Sequence, residues 1–378
     1  MHVRRLELTD FRSWAHVDVS FPPGPSVLVG PNGHGKTNLV ESLGYLSSGS
    51  SHRVSSDAPL VRSGAESALI RAALVHDERE LLAELSVNPG RTNKARLNRS
   101  PLPRARDLVG ALKAVVFAPE DLSLVRGEPE QRRRLLDELL AARHPRFAGV
   151  KADYDRVVKQ RNALLRTAYL ARRTGGRGNT DLHTLDVWDA HLAEYGSDLL
   201  SGRLSLLAEY APFVETAYRA VSAGRGRPEL EYRSALSETD PLLPDRGLLR
   251  ARLAAALATA RSREVERGTT LVGPHRDDLT LRLGTLPAKG YASHGESWSY
   301  ALALRLGAAE LLRARAVAPI LILDDVFAEL DATRRQRLAE LVSGAPQVLV
   351  TCAVAEDVPA EMAGGRFDIH DGEVKRVL

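Results

Sequence analysis

The sequence predicts an α/β protein with a helical domain inserted into a discontinuous α/β domain. A glycine-rich segment, Gly30–Thr37, joins an apolar run to a helical pattern, and a second apolar run, Ile320–Leu323, ends in two aspartates. Between these segments, from about residue 129, leucines recur at helical spacing among many charged residues. The change from strand-like to helical period and back predicts that the two α/β parts form one domain.

The amino-terminal region predicts several strands. Val17–Phe21 alternates apolar and polar residues, and the apolar run Ser26–Val29 precedes a helix that we expect to begin near Lys36. Residues 68–98 continue the strand pattern, and Lys113–Ala118 is typical of a buried strand ended by a proline. This part is therefore an α/β lobe with a strand-rich portion.

The middle of the chain predicts helices. Helical spacing holds from Leu135 to Leu165, is interrupted by the glycine-rich stretch Thr174–Thr180, and resumes from Leu185, which predicts an antiparallel helix pair with a flexible tip. A further helix is predicted across 246–267. The predicted boundaries are 1–118 and 268–378 for the discontinuous α/β domain and 119–267 for the inserted arm.

Composition restricts the class of protein. Hydrophobic residues make up 44% and charged residues 26% of the 378 residues, which is typical of a globular protein. No apolar stretch is long enough for a membrane span or a signal peptide, so we expect a cytoplasmic protein without a membrane partner. The single cysteine, Cys352, excludes an intramolecular disulfide. A net charge of +4 permits an anionic partner without demonstrating one.

The segment Gly30–Thr37 has the spacing of a phosphate loop. Its glycines let backbone N–H groups face phosphate oxygens, Lys36 supplies a cation to the β and γ phosphates, and the Thr37 hydroxyl can ligate Mg²⁺. The alternative is a glycine-rich turn before a helix, which the strand and helix context disfavours. The sequence thus predicts binding of ATP with Mg²⁺ through Gly30, Pro31, Asn32, Gly33, His34, Gly35, Lys36 and Thr37.

Asp324 and Asp325 follow a buried strand, at the carboxyl edge where ligands of open α/β sheets collect. Asp324 is the predicted magnesium ligand together with Thr37. Asp325 could orient and deprotonate the attacking water, so Asp325, Lys36 and Asp324 are the predicted catalytic residues. The alternative is a solvated strand end that carries two acids.

Four further features resemble parts of ABC-type and SMC-like ATPases. Ser293–Ser297 precedes an amphipathic helix and resembles the signature motif, in which Ser293 and Gly295 would contact the γ-phosphate of ATP on the opposite subunit. An ordinary helix start is the alternative. Glu329–Asp331 and Thr351 match the positions of a D-loop and a switch residue. Arg12 resembles the amino-terminal arginine that SMC-like heads use near the nucleotide, with a surface arginine as the alternative.

Motifs along essentially the whole chain resemble the RecF family of ABC/SMC-type ATPases. They are Asp10–Arg12, Gly33–Asn38, which adds Asn38 to the nucleotide contacts, Ser51–Arg53, Pro119–Gly127 followed by Pro129 and Arg132–Asp137, Gly273–Leu279 and Leu323–Asp331. Three residues depart from the family pattern: Glu128 replaces a small residue, and Glu296 and His34 each replace a glutamine. Glu296 adds negative charge where the γ-phosphate of the facing subunit is expected, which is unfavourable without a compensating cation or donor.

The resemblance implies an ABC-type phosphate-loop ATPase head, with a mixed sheet and a strand-rich lobe, plus a short helical arm. It also implies an ATP-dependent, head-to-tail homodimer that clamps double-stranded or gapped DNA. It implies a weak DNA-dependent ATPase activity, whose slow hydrolysis of ATP would release the DNA. The implied partners are RecR, with RecO in the same pathway, and the implied output is recombinase loading in DNA repair, replication restart and the SOS response.

Two alternatives stay open beside this expectation. ATP could serve mainly as a clamp ligand, with hydrolysis only as a timer. The chain could also be another SMC-like or ABC ATPase, although the arm is too short for a long coiled coil. Clustered arginines that could meet DNA phosphates lie at 132–134, 172–173, 225 and 227, where solvated helix faces are the more common role.

Overall fold

A computed structural model describes residues 1–77, 79–173, 183–224, 226–237, 241–314 and 317–377. The predicted tip at 174–180 and Arg225 lie outside these residues. Every helix in the described part of the chain is too short or too polar to span a bilayer.

The strands are β1 (His2–Phe11), β2 (Trp14–Ser20), β3 (Gly24–Val29), β4 (Ala68–His76), β5 (Arg79–Val87), β6 (Lys94–Leu97), β7 (Ser100–Pro101), β8 (Ala114–Phe117), β9 (Pro228–Arg233), β10 (Asp278–Leu283), β11 (Leu286–Pro287), β12 (Ile320–Asp324), β13 (Gln347–Cys352), β14 (Gly365–His370) and β15 (Glu373–Arg376). The helices are α1 (Lys36–Ser48), α2 (Leu122–Arg126), α3 (Pro129–Arg143), α4 (Arg146–Arg173), α5 (His183–Ser222), α6 (Arg246–Arg267), α7 (Ala288–Tyr291), α8 (His294–Arg313) and α9 (Ala332–Val342).

The chain divides into two compact units. The head unit consists of 1–127, 210–229 and 283–378, and the arm unit consists of 128–209 and 230–282. This division differs from the predicted boundaries, because it places 119–127 and 210–229 with the head and 268–282 with the arm. The end of α5 accounts for part of the difference: Tyr210 Oη donates to the Leu304 carbonyl at 2.5 Å.

The first sheet of the head unit is antiparallel, in the order β2-β1-β4-β5-β6-β7. In β1, Leu6 pairs with Val19 of β2 and with Ala72 of β4. All three side chains are buried and belong to one apolar cluster. The strand-rich portion predicted from the alternating pattern is confirmed, since alternation places one face of each strand in a core.

The second sheet of the head unit carries the predicted site residues, in the order β15-β14-β3-β13-β12-β8. Five of its strands are parallel, and β15 is antiparallel to β14. Every residue of β12 is buried, as expected for a strand covered on both faces. Because β3, β12 and β13 run in the same direction, their carboxyl ends meet at one edge.

Two helices of the head unit bear on the predictions. Helix α1 begins at Lys36, as predicted, after Gly35 in the left-handed conformation. Helix α8 was predicted to be amphipathic, but residues 297–304 are all buried. A helix that is apolar on every side is a core helix rather than a surface one.

The arm unit is built from long helices. Leu165 and Ala168 of α4 pack with Leu185 of α5 and Val265 of α6 in a small apolar cluster, which confirms the predicted pairing of helices. Helix α6 has the predicted bounds; Asp245 caps its start by accepting from the Leu248 N–H. Strands β9 and β10, most of whose residues belong to this unit, were not predicted.

Candidate nucleotide-binding site

The phosphate loop follows β3 and curls back at two glycines. Gly33 and Gly35 have φ of 86° and 97°, a region that suits glycine. Lys36 Nζ donates to the carbonyls of Gly30 at 2.8 Å and Pro31 at 3.2 Å, so the lysine folds over its own loop. Its side chain is almost fully buried. The loop carbonyls therefore surround the ammonium group of Lys36.

Trp14 packs against the phosphate loop at Gly35. Its Nε1 donates to the Gly35 carbonyl at 3.1 Å, and a Cβ on Gly35 would lie 2.9 Å from the indole ring. Gly35 is thus needed for close packing as well as for its φ. The sequence analysis missed Trp14, since one tryptophan in a strand carries no signal of a contact 21 residues away.

Asp324, Thr37 and Thr351 meet at the carboxyl edge of the parallel sheet. Asp324 Oδ1 accepts from Thr37 Oγ1 at 2.9 Å and from Thr351 Oγ1 at 2.6 Å. Thr351 lies opposite Asp324 in the β12–β13 pairing, and its Oγ1 also accepts from the Asp325 N–H at 2.9 Å. The structure therefore joins the phosphate loop, the acidic strand and the predicted switch residue through one carboxylate.

The charge of Asp324 depends strongly on its surroundings. Burial, with the neighbouring Asp325, raises the pKa of Asp324 to about 6, although the two threonine hydrogen bonds act in the opposite direction. A buried carboxylate beside a threonine hydroxyl is an oxygen donor set that fits Mg²⁺, and a divalent cation would favour the ionised form. Thr37 and Asp324 would hold such an ion.

Asp325 stands at the turn after β12. Its φ is 52°, a left-handed conformation that aspartate tolerates better than most residues. It lines a cavity of about 290 Å³ together with Asn32, Pro119, Glu329 and Thr351. Asp325 therefore opens into a cavity beside the phosphate loop, and its role as the base for an incoming water stays a prediction.

His52 is a further site residue, from the Ser51–Arg53 motif. Its Nε2 lies 3.9 Å from Asp324 Oδ2, and this nitrogen is buried without a hydrogen-bond partner among the described residues. Burial lowers the pKa of His52, so the ring tends to be neutral. No sequence pattern placed this histidine beside the acidic strand, because the two are far apart in the chain.

Arg12 is paired within the head rather than extended towards the phosphate loop. Its Nε and Nη2 donate to the two carboxylate oxygens of Glu41 at 2.9 and 2.6 Å. Burial alone would raise the pKa of Glu41, but bonds from Arg12 and Ser51 outweigh it and hold the pKa below its usual value. Next to this pair, Asn38 donates to Ser13 Oγ at 2.9 Å. A nucleotide contact of Arg12 or Asn38 stays a prediction.

The Ser293–Ser297 segment forms a complete capping box. Ser293 Oγ accepts from the Glu296 N–H at 3.2 Å, and Glu296 Oε2 accepts from the Ser293 N–H at 2.8 Å. The bonds from Ser293 hold the pKa of Glu296 below its usual value. A Cβ on Gly295 would lie 2.6 Å from Arg334 Nη2, so a cation stands beside this helix start. A hydrogen-bond donor and a cation of the same chain therefore lie beside Glu296, and the effect of its charge on a facing γ-phosphate stays a prediction.

Arg334 comes from the helix that follows the predicted D-loop. Asp331 caps α9 by accepting from the Arg334 N–H at 2.9 Å, and the two side chains form an ion pair. Arg334 Nε also donates to Ser299 Oγ of α8 at 3.0 Å. The predicted signature segment and D-loop are thus joined to each other by one arginine, whereas Thr37 and Thr351 share Asp324.

His34, which replaces a glutamine of the family pattern in the phosphate loop, contacts the residue that follows β14. Its Nδ1 accepts from the Asp371 N–H at 3.2 Å, and its ring lies 5.8 Å from that of His370. Strands β14 and β15 were not predicted, because Gly365–His370 mixes apolar and charged residues without a clear apolar run.

The thiol of Cys352 lies at the same edge of the sheet. It is 4% exposed, and Cys352 pairs in register with Val29, the last residue before the phosphate loop. Burial, with the charge of Asp325, raises the pKa of this thiol to about 11. Cys352 is therefore a small core residue with an unreactive side chain.

The arginines at 132–134 are paired within the arm. Arg132 forms two bonds with the Asp278 carboxylate at 2.8 and 3.0 Å. Arg133 donates to the Asp277 carbonyl at 2.7 Å, and Arg134 donates to Glu138 at 2.7 Å. These contacts give the cluster a structural role. The described part of the chain contains no group of three or more His, Cys, Asp or Glu side chains arranged to hold a metal.

A parallel sheet with a phosphate loop at one strand end, an acidic strand beside it and a capped signature-like helix defines an ATPase head of the ABC/SMC class. The family model for the RecF/RecN/SMC N-terminal domain matches residues 2–363. The DNA replication and repair proteins RecF of Streptomyces avermitilis and Frankia alni are 59% and 58% identical to this chain, with each chain fully covered. The chain belongs to the RecF family.

Solved structures agree with this class. The structure of the recombination mediator protein RecF with ATPrS in the RecFOR pathway has a TM-score of 0.88 at 26% identity and covers 100% of this chain and 98% of its own. The Smc head bound to the C-winged helix domain of ScpA has a TM-score of 0.55 at 17% identity over 100% of this chain and 97% of its own. The second likeness shows the fold alone.

Proposed function

We propose that this protein is an ATP-dependent DNA-binding protein of recombinational repair and replication restart. It binds ATP with Mg²⁺, dimerises head to tail, and clamps double-stranded or gapped DNA. Slow hydrolysis then releases the DNA. The observation that carries the proposal is the bonding of Thr37 and Thr351 to Asp324 in a chain of the RecF family. A RecF relative in the RecFOR pathway has been solved with ATP, which supports ATP as the nucleotide.

The bound nucleotide would be held mainly by the loop. Backbone N–H groups between Gly30 and Thr37 face the phosphates, and Lys36 leaves its own carbonyls to bond the β and γ oxygens. Thr37 and Asp324 would hold the magnesium that accompanies ATP, and this ion would supply positive charge to neutralise the charge that develops on the phosphates. Thr351 holds the Asp325 backbone, and the Asp325 carboxylate orients the water and accepts its proton.

The second half of the site would come from another copy of the chain. Ser293 and the start of α8 present N–H groups and a hydroxyl to the γ-phosphate of the facing subunit, where the helix dipole favours negative charge. ATP would thus join two heads, and the closed pair would hold duplex DNA through its phosphates. RecR, with RecO in the same pathway, is the proposed protein partner, and recombinase loading and SOS induction are the proposed outputs.

The test is the mass of the protein in solution, measured by light scattering. Wild type and Lys36→Met are compared without nucleotide, with ATP and Mg²⁺, and with ATP, Mg²⁺ and duplex DNA. Wild type should double in mass only with ATP, and the variant should stay a monomer because the phosphates lose their cation. If ATP leaves the mass of wild type unchanged in every mixture, the head-to-tail mechanism is wrong for this protein.

Hydrolysis is tested separately with Asp325→Asn. The amide keeps the shape of the turn but cannot accept a proton, so the variant should dimerise with ATP while its turnover falls at least about 100-fold. Single-turnover hydrolysis of labelled ATP, with and without DNA, measures this loss. An unchanged rate would remove Asp325 from the catalytic role.

The same pair of measurements separates the two uses of ATP. If Asp325→Asn still binds gapped DNA but no longer releases it, ATP is the clamp ligand and hydrolysis is the timer. If the variant fails to bind DNA although it dimerises, turnover itself is needed for loading.

A further inference from the structure

The arm unit contains a cavity of about 350 Å³ that the nucleotide chemistry does not use. Its wall comes from the end of α3, the start of α4, the middle of α5 and the start of α6. Cavities of this size hold small ligands or single side chains of a partner. The cavity lies entirely within the arm unit.

One buried cation in this wall is incompletely paired. The Arg143 side chain is 5% exposed, and its Nη2 forms an ion pair with Glu209. Its Nε and Nη1 are buried and have no hydrogen-bond partner among the described residues. A guanidinium offers five N–H donors in a planar fork that matches the two oxygens of a carboxylate, and a buried donor without an acceptor is unfavourable.

The charge of the lining favours a singly charged ligand. Arg143, Arg146 and Arg246 face Asp198 and Glu209, which leaves one net positive charge. Arg246 is already paired with Asp198 at 2.6 Å. A phosphate dianion would meet two carboxylates in the same cavity and would be repelled, whereas a carboxylate needs only one free cation.

The remaining wall is apolar. Leu140, Phe147 and Leu206 are 2%, 6% and 2% exposed and line the cavity. Gly202 faces Phe147 without a side chain, since a Cβ there would lie 2.6 Å from the ring. A ligand that reaches Arg143 therefore also meets apolar surface, whose burial stabilises a bound hydrocarbon group.

We propose that this arm cavity binds a carboxylate carried on an apolar group. The ligand carboxylate replaces that of Glu209 on Arg143 and occupies the guanidinium fork with two oxygens. Glu209 can leave, because its side chain is 48% exposed and can turn to solvent. The same chemistry is present in a free organic acid and in the carboxyl terminus of a partner chain that ends in an apolar residue.

Calorimetric titration of the full-length protein distinguishes these sources. The probes are 3-phenylpropionate, the matching alcohol 3-phenylpropanol, inorganic phosphate, and a short peptide ending in phenylalanine with a free or an amidated carboxyl group. We expect saturable binding of the acid, binding at least about tenfold weaker for the alcohol, and no competition from phosphate. Tighter binding of the free-terminus peptide than of the acid assigns the site to a partner chain, and the reverse assigns it to a small molecule.

Three variants locate the binding. Glu209→Gln removes the internal competitor and should bind the acid several-fold more tightly. Arg143→Lys loses the fork and should bind it about tenfold more weakly. Ser205→Trp, at an exposed position of the wall, should fill the cavity and abolish binding. Glu215→Gln, an exposed pair with Arg219 on the same helix, is the matched control and should bind as wild type does.

The proposed carboxylate site is wrong if wild type shows no saturable binding of acid or peptide up to about 10 mM, a range that covers weak ligands. It also fails if Glu209→Gln and Ser205→Trp, both folded by circular dichroism, bind like the control. Equal competition by phosphate would replace the carboxylate site with a general anion site.

Discussion

His275 and Asp277 of the Gly273–Leu279 motif form polar contacts with tyrosines in the arm. Tyr154 Oη lies 2.7 Å from His275 Nδ1, and a Cβ on Gly273 would lie 2.5 Å from the same hydroxyl. Asp277 accepts from Tyr232 Oη at 3.0 Å. The glycine and the histidine of this family motif are therefore explained by packing around one tyrosine.

These residues predict a specific response of stability to pH. Burial lowers the pKa of His275 to about 4, so its stabilising contribution is present above about pH 6.5 and is lost as the pH falls towards 4. The advantage of wild type over His275→Asn in free energy of unfolding should thus shrink by about 3 kcal/mol between pH 7 and pH 4. Urea unfolding followed by circular dichroism measures the difference at each pH.

Asp277→Asn is the matched control, because the contribution of Asp277 to stability changes with pH in the opposite direction. Burial raises the pKa of Asp277 to about 6, so its contribution is present below about pH 4 and is lost as the pH rises through 6. The advantage of wild type over this variant should be larger at pH 4 than at pH 7. Two difference curves whose slopes have the same sign would contradict at least one of the two assignments.

Helix α5 packs tightly against the start of α4 and the end of α3 at Gly202. Gly202 of α5 faces the Phe147 ring, and Leu140 Cδ2 of α3 would lie 2.9 Å from a Cβ at the same position. Protein interiors are close-packed, so a methyl group there must displace a ring or a helix. Residue 202 thus sets the distance between three helices.

We expect Gly202→Ala to lower the free energy of unfolding by about 1–3 kcal/mol, because overpacking outweighs the gain in helix propensity. Gly149→Ala in α4 is the control, since a Cβ at Gly149 meets nothing within 4 Å. That variant should gain up to about 1 kcal/mol. Thermal melts of both proteins provide the measurement, and equal melting temperatures would show that the helices separate freely.

The sequence predicted helices, strands and loops correctly where the pattern lies within a short stretch of neighbouring residues. The phosphate loop and the start of α1 at Lys36 follow from residues within one turn of each other. The contacts of Trp14 with Gly35, of Arg12 with Glu41 and of His52 with Asp324 join distant parts of the chain, and no periodicity reveals them. The end of α5 has the same helical period as its start, so its packing against Leu304 could not be predicted.

On the scale of the whole molecule, the signature segment of one chain would meet the ATP of another. Glu296 already occupies the Ser293 N–H at the start of α8. An incoming γ-phosphate would have to compete with this carboxylate for the same donor and would be repelled by it. The family departure at Glu296 therefore predicts a weakened ATP-dependent dimer.

Glu296→Gln should tighten that dimer about three- to tenfold, because the amide retains a cap acceptor but carries no charge. Sedimentation at several protein concentrations with ATP and Mg²⁺ gives the dimer dissociation constant, and the gain should shrink at high salt. Glu340→Gln, at an exposed position of α9, is the control. A weaker dimer in Glu296→Gln would instead assign the carboxylate a direct attractive role.

Because the thiol at the end of β13 is buried, we expect the native protein to react only slowly with thiol reagents. A cysteine introduced on the surface can thus carry a fluorophore or a cross-linker without prior removal of Cys352, the single native cysteine. The low reactivity of Cys352 has a second use. Cys352 can react only when the strand ends around the phosphate loop separate, so its rate of modification by a disulfide reagent measures how often the head opens. Bound ATP should slow this modification.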